Sequence, residues 1–234
     1  MVSSAPNGAE LGHAPAGLEL DVKVPRLVSH RTAPTSRASR AFKRTFDLAG
    51  SLIGLVLALP VLLVIAVAVK LDSPGPALFR QRRMGEDGRP FWILKFRSMV
   101  EGAEEQLAGL LERSDADGVF KLIDDPRITR VGRFIRRHYL DELPQLVNVL
   151  RGEMSLVGPR PLPLDEDRCI EGIDRHRLDV APGITGPWQI RGSSRVPLRQ
   201  MVRLDREYVA SWSLLNDLRI LALTVVSVIR GRGL

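Results

Sequence analysis

From Leu48 to Val69 the chain is apolar almost without interruption, broken only by Gly50, Ser51, Gly54 and Pro60. As a helix rising ~1.5 Å per residue this run reaches ~33 Å, enough to cross the hydrocarbon core of a bilayer. A soluble domain rarely buries a helix that is apolar all round over such a length. The chain is therefore expected to enter a membrane. Pro60 falls mid-segment, where it removes a backbone hydrogen bond and kinks a helix. Both flanks are basic, with Arg40, Lys43 and Arg44 before the run and Lys70, Arg80, Arg82 and Arg83 after it. Basic flanks favour the cytoplasmic face. A re-entrant helix–break–helix places both there, whereas a kinked span leaves one outside, and these residues alone do not choose.

Residues 1–40 are rich in Ser, Ala, Gly, Pro and Thr and read as a disordered segment or linker, with a short strand at Gly17–Val24 as one exception. No apolar core of a secretory signal lies near Met1. After the apolar run, Leu78–Met84 and Pro90–Arg97 flank Gly85–Gly88, whose Asp87-Gly88 predicts a hairpin turn. Helical spacing follows at Val100–Glu112, Arg130–Arg137 and Glu142–Leu150, the last closed by Gly152, and Arg203–Arg230 reads as mostly helical. Its final part aligns Leu214, Leu218, Leu221 and Val225, for packing in the core or in the membrane interface.

The formal net charge of +7 suits polyanionic partners, whether nucleic acid, anionic lipid or phosphate-rich small molecules. A single cysteine, Cys169, excludes an internal disulfide and a Cys-rich zinc site, and points to a reducing compartment. No two of His13, His30, His138 and His176 stand at the i,i+4 spacing of a metal-binding helix.

Chemistry concentrates in Arg130–Pro161. Asp141 stands just before an apolar-periodic helix with Pro144 in its first turn, the position of an N-cap. A cap would account for Asp141 alone. The adjacent Glu142 and the nearby Arg127, Arg130, Arg133, Arg136 and Arg137 also resemble a magnesium and phosphoryl-transfer site. Arginine suits bidentate phosphate contact, and the same residues could dock on anionic lipid. Lys95, Arg97 and Arg160 add cations at turn-like positions. Asp115–Asp117 matches the DxD metal motif of nucleotide-sugar glycosyltransferases, but three-residue matches are common by chance and no hydrophobic strand flanks it. Asp124-Asp125-Pro126 reads as a turn. No P-loop, G-x-S-x-G or H-E-x-x-H occurs.

Taken in order, KRTFDLAGS, the apolar helix with a central proline, DSPGPALFRQRRMGEDGRPFWILKFRSM, DPRITRVGRFIRR, LDELPQL, MSLVGPRP and PGITGPWQI resemble the bacterial sugar transferase family. These are the monotopic polyprenol-phosphate phosphoglycosyl transferases of the exopolysaccharide-initiating type. The likeness runs in register from about Lys43 to Arg232. It implies a mainly helical α+β fold. A re-entrant helix at 41–71, broken at Pro60, would join a cytosolic catalytic domain at 72–234 built around a β-hairpin and interfacial amphipathic helices.

The resemblance further implies transfer of a hexose 1-phosphate, glucose or galactose, from a UDP-sugar to polyprenol phosphate with release of UMP. Asp141 would be the nucleophile of a covalent phosphosugar intermediate, with Glu142 its catalytic partner and Mg²⁺ held at this carboxylate pair. Lys95, Arg97, Arg136, Arg160 and Gln189 match family positions suited to substrate binding. The family often has Gly-Arg after TGxxQxx; here Gly192-Ser193 stands instead, and Arg191 and Arg195 are the candidates to replace the missing cation. The expected setting is the cytoplasmic face of the bacterial inner membrane, with a homodimer allowed and no nucleic acid partner. Larger family members carry a further N-terminal membrane domain, so the chain is also compatible with being part of one. The competing readings are a non-catalytic basic membrane adaptor and a DxD glycosyltransferase that would release UDP.

Overall fold

The computed structural model describes residues 36–103, 105–106, 125–190 and 197–230. The expected strand at Gly17–Val24, the DxD-like Asp115–Asp117 and both Arg191 and Arg195 lie outside the described residues.

The apolar run forms the core of a 36-residue helix, α1 (Arg37–Asp72), which starts inside the segment expected to be a linker. Ser36 caps it by accepting from the Ser39 N–H, and the helix continues through Pro60 without the expected break. Leu52, Ile53, Val56, Leu57, Leu63 and Val64 are all more than half exposed, an apolar surface that water does not favour. Both ends are nevertheless tied to the rest of the molecule. Near the start, Arg44 donates to the carbonyls of Val149 and Leu150, and Asp47 accepts from the Leu156 N–H at 3.1 Å. Near the end, Ile65 and Val69 pack with Phe96 and Ile135, and Asp72 accepts from the Val131 N–H at 3.0 Å.

The hairpin appears as expected. β1 (Leu78–Met84) pairs antiparallel with β2 (Pro90–Phe96), Arg83 opposite Phe91 and Phe79 opposite Lys95. Asp87 and Gly88 both take positive φ at the turn, the conformation that favours an Asp-Gly pair there. α2 (Arg130–Arg137) follows, capped by Thr129, then a 3-10 turn at Leu140–Glu142 and α3 (Gln145–Arg151), closed by Gly152 in the left-handed region. The helix expected from Val100 does not begin there: Gly102 turns the chain with φ +74°, and residues 107–112 lie outside the described set.

β3 (Ser155–Val157) pairs in parallel with β4 (Gly183–Thr185), a connection that the sequence pattern did not announce. Between them lie the short α4 (Leu164–Asp167) and a 3-10 segment at Gly172–Leu178. Gly158 and Gly183 meet so closely that a Cβ on Gly183 would fall 2.0 Å from the Gly158 nitrogen, which excludes a side chain there. α5 (Pro187–Ile190) precedes α6 (Leu198–Ala210) and α7 (Leu214–Ile229), so the expected terminal helix is two helices parted at Ser211–Ser213. α7 packs through Asp217, Ile220 and Leu221, while Leu215, Leu218, Val225, Val226 and Ile229 stay exposed. That outer face agrees with the interfacial alternative for this helix.

Buried residues form four clusters around these elements. Phe91, Ile93, Val149 and Met154 join the hairpin to α3, and Leu162, Trp188, Met201 and Val202 hold α5 and α6. The architecture is mainly helical α+β with two small two-stranded sheets.

Candidate active site

Close packing places the carboxylate pair. On α2, Gly132 lies against the backbone of Ser98, where an added Cβ would approach the carbonyl oxygen to 1.9 Å. The helix is thereby held against the exit of β2. It ends at Arg137, and two residues on, Tyr139 is a non-glycine residue at φ 55° in the left-handed region. Such a backbone conformation costs energy and is kept where surrounding structure demands it. It swings the chain into the 3-10 turn that carries Asp141 and Glu142, with Glu142 N–H donating to the Tyr139 carbonyl. The expected cap role is not observed: Pro144 is the N-cap of α3, and no side chain caps that end.

Asn148 sets the opposite wall. This fully buried amide accepts from the Leu94 N–H and donates to the carbonyl of Trp92, locking α3 to β2. Lys95, the next residue along β2, then reaches Glu142 at 2.9 Å. Burial would raise the Glu142 carboxyl, but Lys95, Arg160 and Arg83 outweigh it and hold Glu142 below the ordinary glutamate value. Asp141 moves the other way. Burial first, and then the charge of Glu142, push it up to about 6 against the pull of Lys95 and Arg136. Two adjacent carboxyls are thus held apart in acidity, the arrangement that assigns different tasks to chemically similar groups.

Arg160 faces the pair from the loop after β3. Its guanidinium stacks on the Trp188 ring at 4.0 Å. Its peptide is gripped on both sides: the N–H donates to Asp205 at 3.2 Å, and the carbonyl accepts from Arg177. Arg177 itself lies between Asp167 and Asp205, all three at most 1% exposed. The narrow cleft between these walls is lined by Arg83, Lys95, Glu142, Gln145, Arg160 and Trp188, among others.

The residues singled out in the sequence are thus partly gathered. Lys95 bonds Glu142, Lys95 and Arg136 act on the Asp141 carboxyl, and Arg160 acts on Glu142. Arg97 lies elsewhere: it is 8% exposed and donates to the carbonyls of Ser73 and Pro74, just past the end of α1. Gln189 is buried on α5 with its Oε1 unpaired. Arg83, Gln145, Asn148, Arg177 and Asp205 were not foreseen. The sequence places Arg83 in a basic flank of the apolar run, but strand alternation from the exposed Arg80 and Arg82 turns it inward.

Among the described residues no group of three or more His, Cys, Asp or Glu forms a metal cage. Magnesium needs less, since one or two carboxylates with substrate phosphates and water fill its shell. Asp141 and Glu142 fit that requirement, and the raised Asp141 carboxyl is a negative charge that a cation would relieve.

The family profile described as bacterial sugar transferase matches residues 38–231. The undecaprenyl-phosphate galactose phosphotransferase of Salmonella typhimurium is 45% identical over 203 residues, covering 84% of this chain and 42% of that protein. The UDP-glucose:undecaprenyl-phosphate glucose-1-phosphate transferase of Escherichia coli K12 is 42% identical over 82% of this chain and 41% of its own length. The exopolysaccharide production protein ExoY of Sinorhizobium fredii is 40% identical over 82% of this chain and 87% of that protein. The chain therefore spans less than half the length of the first two relatives and most of the third.

Proposed function

Because the chain belongs to the bacterial sugar transferase family, we propose that it moves a hexose 1-phosphate from a UDP-sugar, UDP-glucose or UDP-galactose, to a polyprenol phosphate of the undecaprenyl type, the first step of exopolysaccharide or related glycan assembly. The activities for which the Salmonella and Escherichia relatives are named support the substrate classes. The observation that carries the chemistry is the split carboxylate pair at Asp141 and Glu142, set among Lys95, Arg136 and Arg160.

In this reading an oxygen of ionised Asp141 attacks the β-phosphorus of the donor. The bond from that phosphorus to the bridging oxygen breaks, and UMP leaves with the bonding pair. A phosphate oxygen of the polyprenol phosphate then attacks the same phosphorus, forming the diphosphate and returning the Asp141 carboxylate. Proton demand is small, so the chain's main task is to orient and to balance negative charge. Arg136 and Lys95 lie beside the nucleophile, and Arg160 is fixed by stacking and by its clamped peptide. Glu142, held ionised by Lys95, steers that lysine and raises the basicity of Asp141. Mg²⁺ bound at Asp141 and Glu142 would supply further neutralisation of the diphosphate oxygens. The nucleotide released tests the reading: supplied with UDP-sugar and polyprenol phosphate, the protein should yield UMP. UDP would indicate sugar transfer without phosphate, and no nucleotide release would leave only an anchoring role.

The same proposal includes a re-entrant α1 on the cytoplasmic face of the inner membrane. Its support is that Asp47 near one end and Asp72 at the other bind backbone of a single catalytic body. A helix whose two ends emerged on opposite sides of a bilayer could not do this. Cysteines at the exposed Arg40 and Arg89, in a Cys169→Ser background, should both resist an impermeant thiol reagent applied to intact cells. Labelling of either from outside would mean a spanning helix.

A further inference from the structure

The cleft beside the carboxylate turn is lined by three side chains that each carry a buried hydrogen-bond donor without an acceptor, Arg83, Gln145 and Trp188. Arg83 donates through Nη1 to the Pro161 carbonyl at 3.2 Å and through Nη2 to Gln81 Oε1 at 2.6 Å, both neutral groups. Its Nε is buried without a partner. No carboxylate among the described residues lies within ion-pair distance of Arg83 or of the Arg160 guanidinium beside it. The Nε2 of Gln145, a residue 2% exposed, and the indole Nε1 of Trp188, 3% exposed, are likewise buried and unpaired. Lys95 is already satisfied by Glu142.

Buried donors left unpaired are costly, and a buried guanidinium without an anion more so. Here three of them, from β1, α3 and α5, converge on one cleft. Burial and the charge of Arg160 depress the Arg83 pKa to about 10, which leaves it cationic at neutral pH. The missing partner must supply several acceptor oxygens and negative charge together. A sugar hydroxyl offers the first without the second; a phosphate offers both.

We propose that Arg83, Gln145 and Trp188 form with Arg160 a phosphate-binding wall of the active site, which takes the phosphate of a nucleotide or of a prenyl phosphate. This rests on the proposed transferase function and adds to it the residues that receive a substrate phosphate away from Asp141. Arg83 belongs to this wall, whereas Arg80 and Arg82 lie on the exposed face of the strand.

The test is equilibrium binding of UMP and, separately, of farnesyl phosphate to the detergent-purified full chain. Arg83→Gln and Gln145→Leu are each compared with Arg82→Gln, whose side chain is on the exposed strand face. Each wall variant should weaken binding of at least one ligand by about 10- to 100-fold, as loss of a charge-assisted hydrogen bond does, with melting temperature unchanged. Arg82→Gln should stay within about 2-fold. Loss for UMP alone assigns the wall to the donor, loss for farnesyl phosphate alone assigns it to the acceptor, and loss for both means that the two phosphates use it in turn. Gln145→Leu leaves the Arg83–Pro161 bond intact, so it decides the matter if Arg83→Gln lowers stability. Wild-type binding of both ligands by Gln145→Leu and by a folded Arg83→Gln would overturn the inference while leaving the transferase reading in place. Failure of the parent protein to bind either ligand would instead remove the transferase reading itself.

Discussion

Asp141→Asn is expected to lower turnover by roughly 10⁴-fold or more, the scale seen when a covalent nucleophile is removed, while the fold and the detergent-extracted yield persist. The amide has nearly the shape of the carboxylate but cannot attack phosphorus. Stability should hold, because Asp141 caps no helix and its charge is opposed by burial and by Glu142. Turnover and thermal unfolding measured on the same preparation separate the two effects. The parent enzyme should also show a one-proton acid limb. In the proposed mechanism the reactive form is the ionised one; burial and the charge of Glu142 raise the Asp141 carboxyl, so kcat/KM should fall about tenfold per pH unit on the acid side, at a lower pH when Mg²⁺ occupies the pair. Activity of the asparagine variant within tenfold of the parent would refute the nucleophile assignment.

The largest stability effect is expected at Arg177. This side chain, 1% exposed, lies between Asp167 and Asp205, which are 1% and 0% exposed. It bonds Asp167 at 3.3 Å and Asp205 at 2.9 Å and also donates to the carbonyl of Arg160. Arg177→Met would leave the buried Asp205 without its guanidinium and Asp167 with only the longer contact to Arg175 at 3.5 Å. Breaking a buried pair in this way costs about 3–5 kcal/mol, which for a chain of this size lowers Tm by roughly 10 °C. Part of the Asp205 charge would be lost by protonation, since burial, opposed by Arg177, already raises its carboxyl to about 6. The residual activity should fall as well, because the peptide of Arg160 loses one of its two clamps. Arg203→Gln is the control: its ion pair with Glu207 is exposed, with side chains at 71% and 43%, and should contribute well under 1 kcal/mol. Equal Tm values for the two variants would contradict this account of the network.

The elements legible in the sequence are those whose cause is local. The Asp-Gly turn, the period of α2 and the Gly152 stop each carry their own signal, and each appears where expected. The apolar run likewise announced α1, although its packing contacts at both ends involve residues far along the chain. β3 and β4 were not legible because three-residue strands have no period to read, and their pairing depends on a glycine contact between distant segments. The cap reading of Asp141 failed for a related reason. The left-handed Tyr139 and the 3-10 turn displace the start of α3 to Pro144, and no residue type at Tyr139 signals that conformation.

The basic residues show the limit most clearly. Arg80, Arg82 and Arg83 are alike as letters, and only strand pairing turns Arg83 toward the cleft. Arg97 and Arg160 both stood out by position, yet one closes the turn after α1 and the other faces Glu142. No motif or period in the sequence marks Arg177. Its role follows from two aspartates 10 residues before it and 28 after it.

The central claim is that Asp141 carries the phosphosugar between donor and acceptor. The direct measurement is to incubate the purified protein with UDP-sugar and Mg²⁺ in the absence of polyprenol phosphate, quantify UMP, and take the intact mass at mildly acidic pH. The account predicts close to one UMP per chain followed by a stall, with an adduct of one hexose phosphate on the peptide containing Asp141. No UMP until polyprenol phosphate is added, with kinetics that require both substrates bound together, would contradict it.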